Sequence, residues 1–154
     1  AVIQCSYSHI IQLRDWLPDE IGGVAYFSFD NPAQSPRIPI YSGTISLPKS
    51  FHICGQHRYR EDAAIWAFRE TNRIATINWD KTRGILEPEI ARFEEEMFNS
   101  APSVEKQAEE LIKEGKVDKA KEILTNHTNS FALSTMKRWQ DMKAQLWSVF
   151  ARAM

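Results

Sequence analysis

The sequence predicts an α+β fold, an antiparallel β segment followed by a mostly helical C-terminal part. Three patterns predict it. Tyr7, His9, Ile11 and Leu13 alternate with Ser8, Ile10, Gln12 and Arg14, the period of a strand. A second run rich in β-branched and aromatic residues, Val24 to Phe29, follows Gly22-Gly23. From Asp62 onward, apolar residues recur every three or four positions, the period of a helix. Residues 1–48 are therefore β-rich, 49–61 form a loop and 62–154 are helical, within one domain of 154 residues, a size suited to a single core.

The elements follow in order. The first strand covers Ser6 to Arg14, and Trp16-Leu17-Pro18-Asp19-Glu20 reads as a turn because Pro18 cannot donate to a ladder. Asp30-Asn31-Pro32 closes the second strand with turn-forming side chains and a fixed φ. A third strand region, Arg37 to Leu47, is interrupted by Pro39 and by Ser42-Gly43, which points to an edge, a bulge or a close backbone approach. Asp62 is the expected N-cap of a first helix that runs to about Trp79, with Ile65, Trp66 and Phe68 at helical spacing. Thr82-Arg83-Gly84 is expected to break the pattern. Pro88 then sits in the first turn of a second helix, whose stripe is Ile90, Phe93, Met97 and Phe98 and which ends near Asn99. Ser103 is the expected cap of a third helix, ended by Gly115. Val117 to Met154 reads as one long helix or two in succession, with Leu124, Phe131, Trp139, Met142 and Leu146 in its apolar stripe. Few strands accompany this much helix, so the sheet is expected to have further strands upstream and to expose apolar surface or bury it in a neighbour.

Composition narrows the function. With 19 basic and 20 acidic residues the net charge is −1, and no basic excess marks a nucleic-acid binder. No apolar run reaches the roughly 20 residues of a membrane span. The opening Ala1-Val2-Ile3-Gln4-Cys5 has neither an initiator Met nor a charged-then-apolar leader, and it reads straight into a strand pattern. The expectation is that the chain is a piece of a longer product. Localisation is then unknown, bacterial and either cytoplasmic or exported.

Two cysteines, Cys5 and Cys54, are too few for a disulfide framework and read as unpaired thiols. A thiol nucleophile needs a base, a depressed pKa or its own free amino group. Cys5 has no charged neighbour in sequence. Cys54 lies near His52 and His57, which admits a Cys–His pair, but the H-x-C-x2-H spacing matches no strong zinc pattern, so no metal is expected. No cofactor is expected either. The Asn126-His127-Thr128 sequon falls within a helical pattern and is not read as glycosylated. Glu94-Glu95-Glu96 and the charges from Glu105 to Lys121 read as solvated helix faces. Trp66, Trp79, Trp139 and Trp147 read as core. Ser8, Gln12 and Arg14 share one strand face, where Arg14 could clamp a carboxylate in bidentate fashion.

Several of these residues carry a family resemblance. Ser8-His9-x-x-Gln12-Leu13-Arg14-x-Trp16-Leu17-Pro18, Ile21-Gly22-Gly23-Val24, Tyr41-Ser42-Gly43 with Pro48, and Asp62-x-Ala64-x-Trp66-Ala67-Phe68 resemble the late part of dipeptidase A-type enzymes, from about Ser6 to Phe98. Those enzymes are cysteine peptidases of the N-terminal-nucleophile hydrolase group. The resemblance implies an αββα sandwich of which this chain is a portion. It also implies a self-processed N-terminal Cys whose thiol attacks the peptide carbonyl while its α-amino group serves as base. That nucleophile would lie before Ala1, so no residue here takes the catalytic role. Arg14, His9, Ser42 and Gly43 are the matched positions expected to face the substrate cleft. The implied partners are an upstream segment of the same polypeptide, a dipeptide substrate in the full-length protein, and a second copy of the chain wherever sheet surface stays exposed. Trp66 reads as sheet-facing packing. Two other readings compete: a non-catalytic interaction module whose long helix from Val117 presents a groove-filling stripe, and a self-sufficient hydrolase using Cys54 with His52 or His57.

Overall fold

The computed structural model describes residues 5–151. The strand pattern at the first residues and the last three residues of the final helix, as expected from sequence, lie outside that range. Strands β1 (Tyr7–Leu13), β2 (Gly23–Phe29) and β3 (Ile38–Tyr41) form one antiparallel sheet in the order β1-β2-β3. A single helical turn, α1 (Asp19–Gly22), links β1 to β2, and a 3-10 turn, Lys49–His52, follows the sheet. Helices α2 (Ala64–Thr76), α3 (Trp79–Lys113) and α4 (Val117–Ala151) complete the chain. The α+β class expected from sequence is the class observed.

The two outer strands end differently. Pro39 has no N–H to give a ladder, which confines it to an edge strand. Its carbonyl accepts a hydrogen bond from the Thr128 hydroxyl at 2.8 Å, so α4 closes that edge. At the other edge, β1 pairs with β2 in the register Ile10↔Tyr26 and Gln12↔Val24. The flanking bonds Arg14 N–H to Gly22 O and Asp30 N–H to Ser6 O place the inward backbone groups at even-numbered residues. Tyr7, His9, Ile11 and Leu13 consequently turn their backbone groups outward, and β1 is an open edge among the described residues. It is also apolar: Leu13 is 79% exposed and nearby Trp16 73%, with Tyr7, Ile10 and Ile11 each more than half exposed.

Where the helices differ from expectation, the reasons are local. Helix α2 starts at Ala64 with Ala63 as N-cap and no side-chain cap, because the Asp62 carboxylate is taken by Arg60 at 2.6 and 2.9 Å. Helix α3 is continuous through Thr82–Gly84, Pro88 and Ser103, so the separate helices expected at 88–99 and 103–115 are one. Its N-cap is Asn78, whose side chain accepts from Lys81 N–H at 3.3 Å. Pro88 and Pro102 both face solvent, where water can serve the carbonyls they leave unpaired. Gly115, at φ +77°, ends α3 as expected. Lys116 N–H bonds Leu111 O and Gly115 N–H bonds Ile112 O, a Schellman termination. Helix α4 is a single helix of 35 residues.

The main core joins Ile38, Phe68, Phe93, Met97, Phe131, Trp139 and Met142. A second cluster packs Ile21, Val24 and Tyr41 of the sheet layer against Val104, Ala108 and Leu124 of α3 and α4. Leu124, Phe131, Trp139, Met142 and Leu146 of the α4 stripe are therefore spent inside the fold, whereas Leu133 on the same helix is 48% exposed. Trp139 is fully buried as expected, its indole N–H donating to Gln34 O at 3.0 Å and Asn72 Oδ1 at 3.1 Å. Trp147 instead lies 53% exposed. Trp66 packs on the loop before α2, donating to Gly55 O at 2.7 Å and Arg58 O at 3.1 Å, rather than on the sheet.

Candidate functional site

The end of the sheet where β1 turns through α1 into β2 forms a hollow of about 350 Å³. It is lined by Leu13, Arg14, Asp15, Leu17, Asp19 and Ser42 with the Gly22-Gly23 backbone. Two of the four positions expected at a cleft, Arg14 and Ser42, line it together. The close approach rests on small residues. A Cβ on Gly22 would lie 2.7 Å from Arg14 O, and one on Gly43 would lie 2.8 Å from Glu20 O. Gly43 N–H donates to Glu20 O at 2.8 Å, and the Ser42 hydroxyl donates to Asp19 O, so the turn after β3 is bound to α1 by backbone and side chain. His9 lies outside the hollow. It stands on the exposed part of β1, stacked on Tyr7 at 5.8 Å between ring centroids.

Arg14 makes the bidentate pair that its residue type favours, but the carboxylate belongs to the chain itself. Its two terminal nitrogens donate to Glu105 at 2.8 and 3.0 Å, and Nη2 also donates to Ile21 O at 2.8 Å. The side chains are 12% and 18% exposed. Tyr41 donates its hydroxyl to the same carboxylate at 3.0 Å. Hydrogen bonding to Glu105 raises the Arg14 pKa further, and burial followed by the Glu105 charge pushes the Tyr41 phenol far up, so both keep their protons. Within this network Arg14 Nε is buried without a partner. Glu105 had no signal in the sequence: it sits in a charged run that reads as solvated surface, and its partner is 91 residues away.

A second buried network was equally hidden. Asp30, at φ +57°, receives Arg69 Nε at 3.0 Å and Asn72 Nδ2 at 3.1 Å, and Asn72 also donates to Ser35 at 2.8 Å. These bonds fasten the loop after β2 to α2, and every group in them has a protein partner.

Cys54 is exposed and unpaired, and Cys5 is also unpaired, its thiol donating to Tyr7 O at 3.2 Å. No hydrogen bond among the described residues joins Cys54 to His52 or His57. His52 Nε2 lies 3.3 Å from Leu47 O. No cluster of three or more His, Cys, Asp or Glu side chains that could hold a metal occurs among the described residues. No helix among them is long and apolar enough to cross a membrane.

No curated protein matches the chain at significant similarity. A family model described as peptidase family C69 matches residues 1–92, which contain the whole sheet, the hollow, α2 and the start of α3. That family is one of cysteine peptidases, hydrolases of the peptide bond. The match covers well over half of the sequence and includes every position expected at the cleft, and the chain belongs to peptidase family C69.

Proposed function

We propose that the chain is the C-terminal part of a dipeptidase-like cysteine hydrolase, and that an upstream segment of the same polypeptide supplies the nucleophile. The open apolar edge of β1 carries this reading. One side of the sheet is closed by α4 and by Pro39, while the other offers unpaired backbone groups and exposed Leu13, Ile11 and Trp16. Such an edge favours pairing with further strands. Addition of strands there would extend the sheet toward the αββα sandwich that the family resemblance implies. In that assembly an N-terminal Cys thiolate adds to the dipeptide carbonyl, the amine departs with a proton, and water hydrolyses the thioester. His9, Ser42 and Gly43 are the positions proposed to face the dipeptide. Arg14, with its fork on Glu105, is proposed to hold the floor of the hollow through the β1–α3 tie. A second copy of the chain is the other occupant that the edge would accept.

The test is thiol-dependent dipeptide hydrolysis by this chain and by the product of the complete reading frame. Turnover in the longer protein alone, abolished by alkylation of its N-terminal cysteine, is the expected result. Turnover by this chain and its loss on Cys54→Ser would move the chemistry to the loop before α2. Silence in both would refute the dipeptidase reading.

A further inference from the structure

A different concavity, open to solvent, lies between the β1–β2 part of the sheet and α3. Ile10, Gln12 and Tyr26 share one sheet face there, because Ile10 pairs with Tyr26 and Gln12 stands two residues on. Glu94, Met97 and Phe98 face them from one side of α3, at the three- and four-residue spacing of a helix surface. The hollow holds about 470 Å³, within the range of small-molecule sites. The Tyr26 and Phe98 rings meet at 6.0 Å, and the Tyr26 hydroxyl donates to Gln12 at 3.1 Å, so its wall is ordered.

Arg37 also lines this hollow. It directly precedes Ile38, which pairs with Phe27, so one further step of the register brings it opposite Ser28. The largely buried guanidinium groups of Arg14 and Arg69 are matched to the carboxylates of Glu105 and Asp30, and the more exposed Arg138 to Glu89. Arg37 makes no hydrogen bond or ion pair among the described residues, and its Nη1 is fully buried. The Ser28 hydroxyl is buried and unpartnered as well. Glu94 lines the same hollow without forming an ion pair to Arg37 or to any other described residue. A buried guanidinium N–H without an acceptor is costly, and a planar carboxylate is the best-matched partner of the group.

We propose that this hollow binds a small zwitterion, an α-amino acid with an apolar side chain. Its carboxylate lies on Arg37, its ammonium is drawn to Glu94, and its side chain rests on Ile10, Met97 and Phe98. The assignment rests on two groups of opposite charge, Arg37 and Glu94, that line one hollow together with the apolar Ile10, Met97 and Phe98 and pair with no described residue, and it stands whether or not the chain takes part in peptide hydrolysis.

The test is an NMR titration of the chain with L-leucine, L-leucinamide and N-acetyl-L-leucine, none of which has a peptide bond joining two amino acids for a dipeptidase to cleave. Leucine is expected to bind at least tenfold more tightly than leucinamide, and Arg37→Met to abolish that preference. Glu94→Gln is expected to abolish the preference for leucine over its acetylated form in the same way. Without ligand, Arg37→Met should melt at the same temperature as the parent or higher, because it removes a buried Nη1 that has no acceptor. Equal binding of leucine and leucinamide, an unchanged preference in Arg37→Met, or a lower melting temperature of that variant would each overturn the proposal.

Discussion

Substitution of Glu105 by Ala is expected to unfold the link between the sheet and α3 in a measurable way. The carboxylate accepts from both terminal nitrogens of Arg14 and from the Tyr41 hydroxyl, all within 3.0 Å. Its loss leaves the Arg14 fork with Ile21 O alone and strips Tyr41 of its acceptor. Breaking a buried ion pair by removing one partner costs about 3–5 kcal/mol. Both side chains retain some contact with water, at 12% and 18% exposure, which moves the expectation down to about 2–3 kcal/mol. For a chain of 154 residues this corresponds to a fall in melting temperature of about 5–10 °C, read by circular dichroism or calorimetry. The double variant Arg14→Met with Glu105→Leu removes both charges at once and should return to within about 1 kcal/mol of the parent. A Glu105→Ala shift below about 2 °C, or a double variant as unstable as the sum of the two singles, would refute the reasoning.

Three further outcomes are expected. Gly43→Ala should destabilise by about 1–3 kcal/mol in denaturant titration, because its Cβ would meet Glu20 O at 2.8 Å and Leu124 Cδ1 at 3.0 Å; no change would mean the turn is free to move. Trp139→Phe should cost about 2–3 kcal/mol by the same measurement, since it leaves buried acceptors on Gln34 and Asn72 and a smaller ring in the core. His127 has its pKa lowered by burial, opposed by the Glu105 and Glu96 charges. The unfolded chain therefore binds this proton more readily, and the contribution to stability is complete above the unfolded value of about 6.5 and lost as pH falls through the lower folded one. Denaturant titrations between pH 7 and 5 should show a decline that His127→Gln flattens, and an unchanged slope in that variant would exclude His127 as its source.

The sheet was legible from sequence because strand alternation and Gly-Gly and Asn-Pro punctuation are local signals. The β1 and β2 runs fall within two residues of their observed limits. The third strand was overextended, since Tyr41 hands over to a turn closed by Thr44 N–H on Tyr41 O. The helical part was misdivided for a physical reason. Gly84, Pro88 and Pro102 carry local penalties of a few kcal/mol, and tertiary packing of Leu86, Phe93, Met97, Val104 and Ala108 outweighs them. Of the four positions picked out by their motifs, Arg14 and Ser42 line the hollow, and Arg14's preference for a bidentate partner was readable from its chemistry. It could not identify Glu105, Tyr41 or the unpaired state of Arg37, because these depend on contacts between segments far apart in the chain.

The α3–α4 hairpin also bears on the order in which the molecule assembles. Its two helices meet through a turn of three residues, Glu114 to Lys116, so their mutual contacts close almost no loop. The tie between β1 and α3 spans 91 residues and must wait for that ordering entropy to be met. Folding is therefore expected to start at the hairpin, and β1 to dock late. Substitutions near Gly115 should slow refolding, whereas those at Arg14 should chiefly hasten unfolding. A late-docking strand with an open apolar edge spends the longest time available to other chains, which makes β1 the segment whose pairing decides between assembly and aggregation.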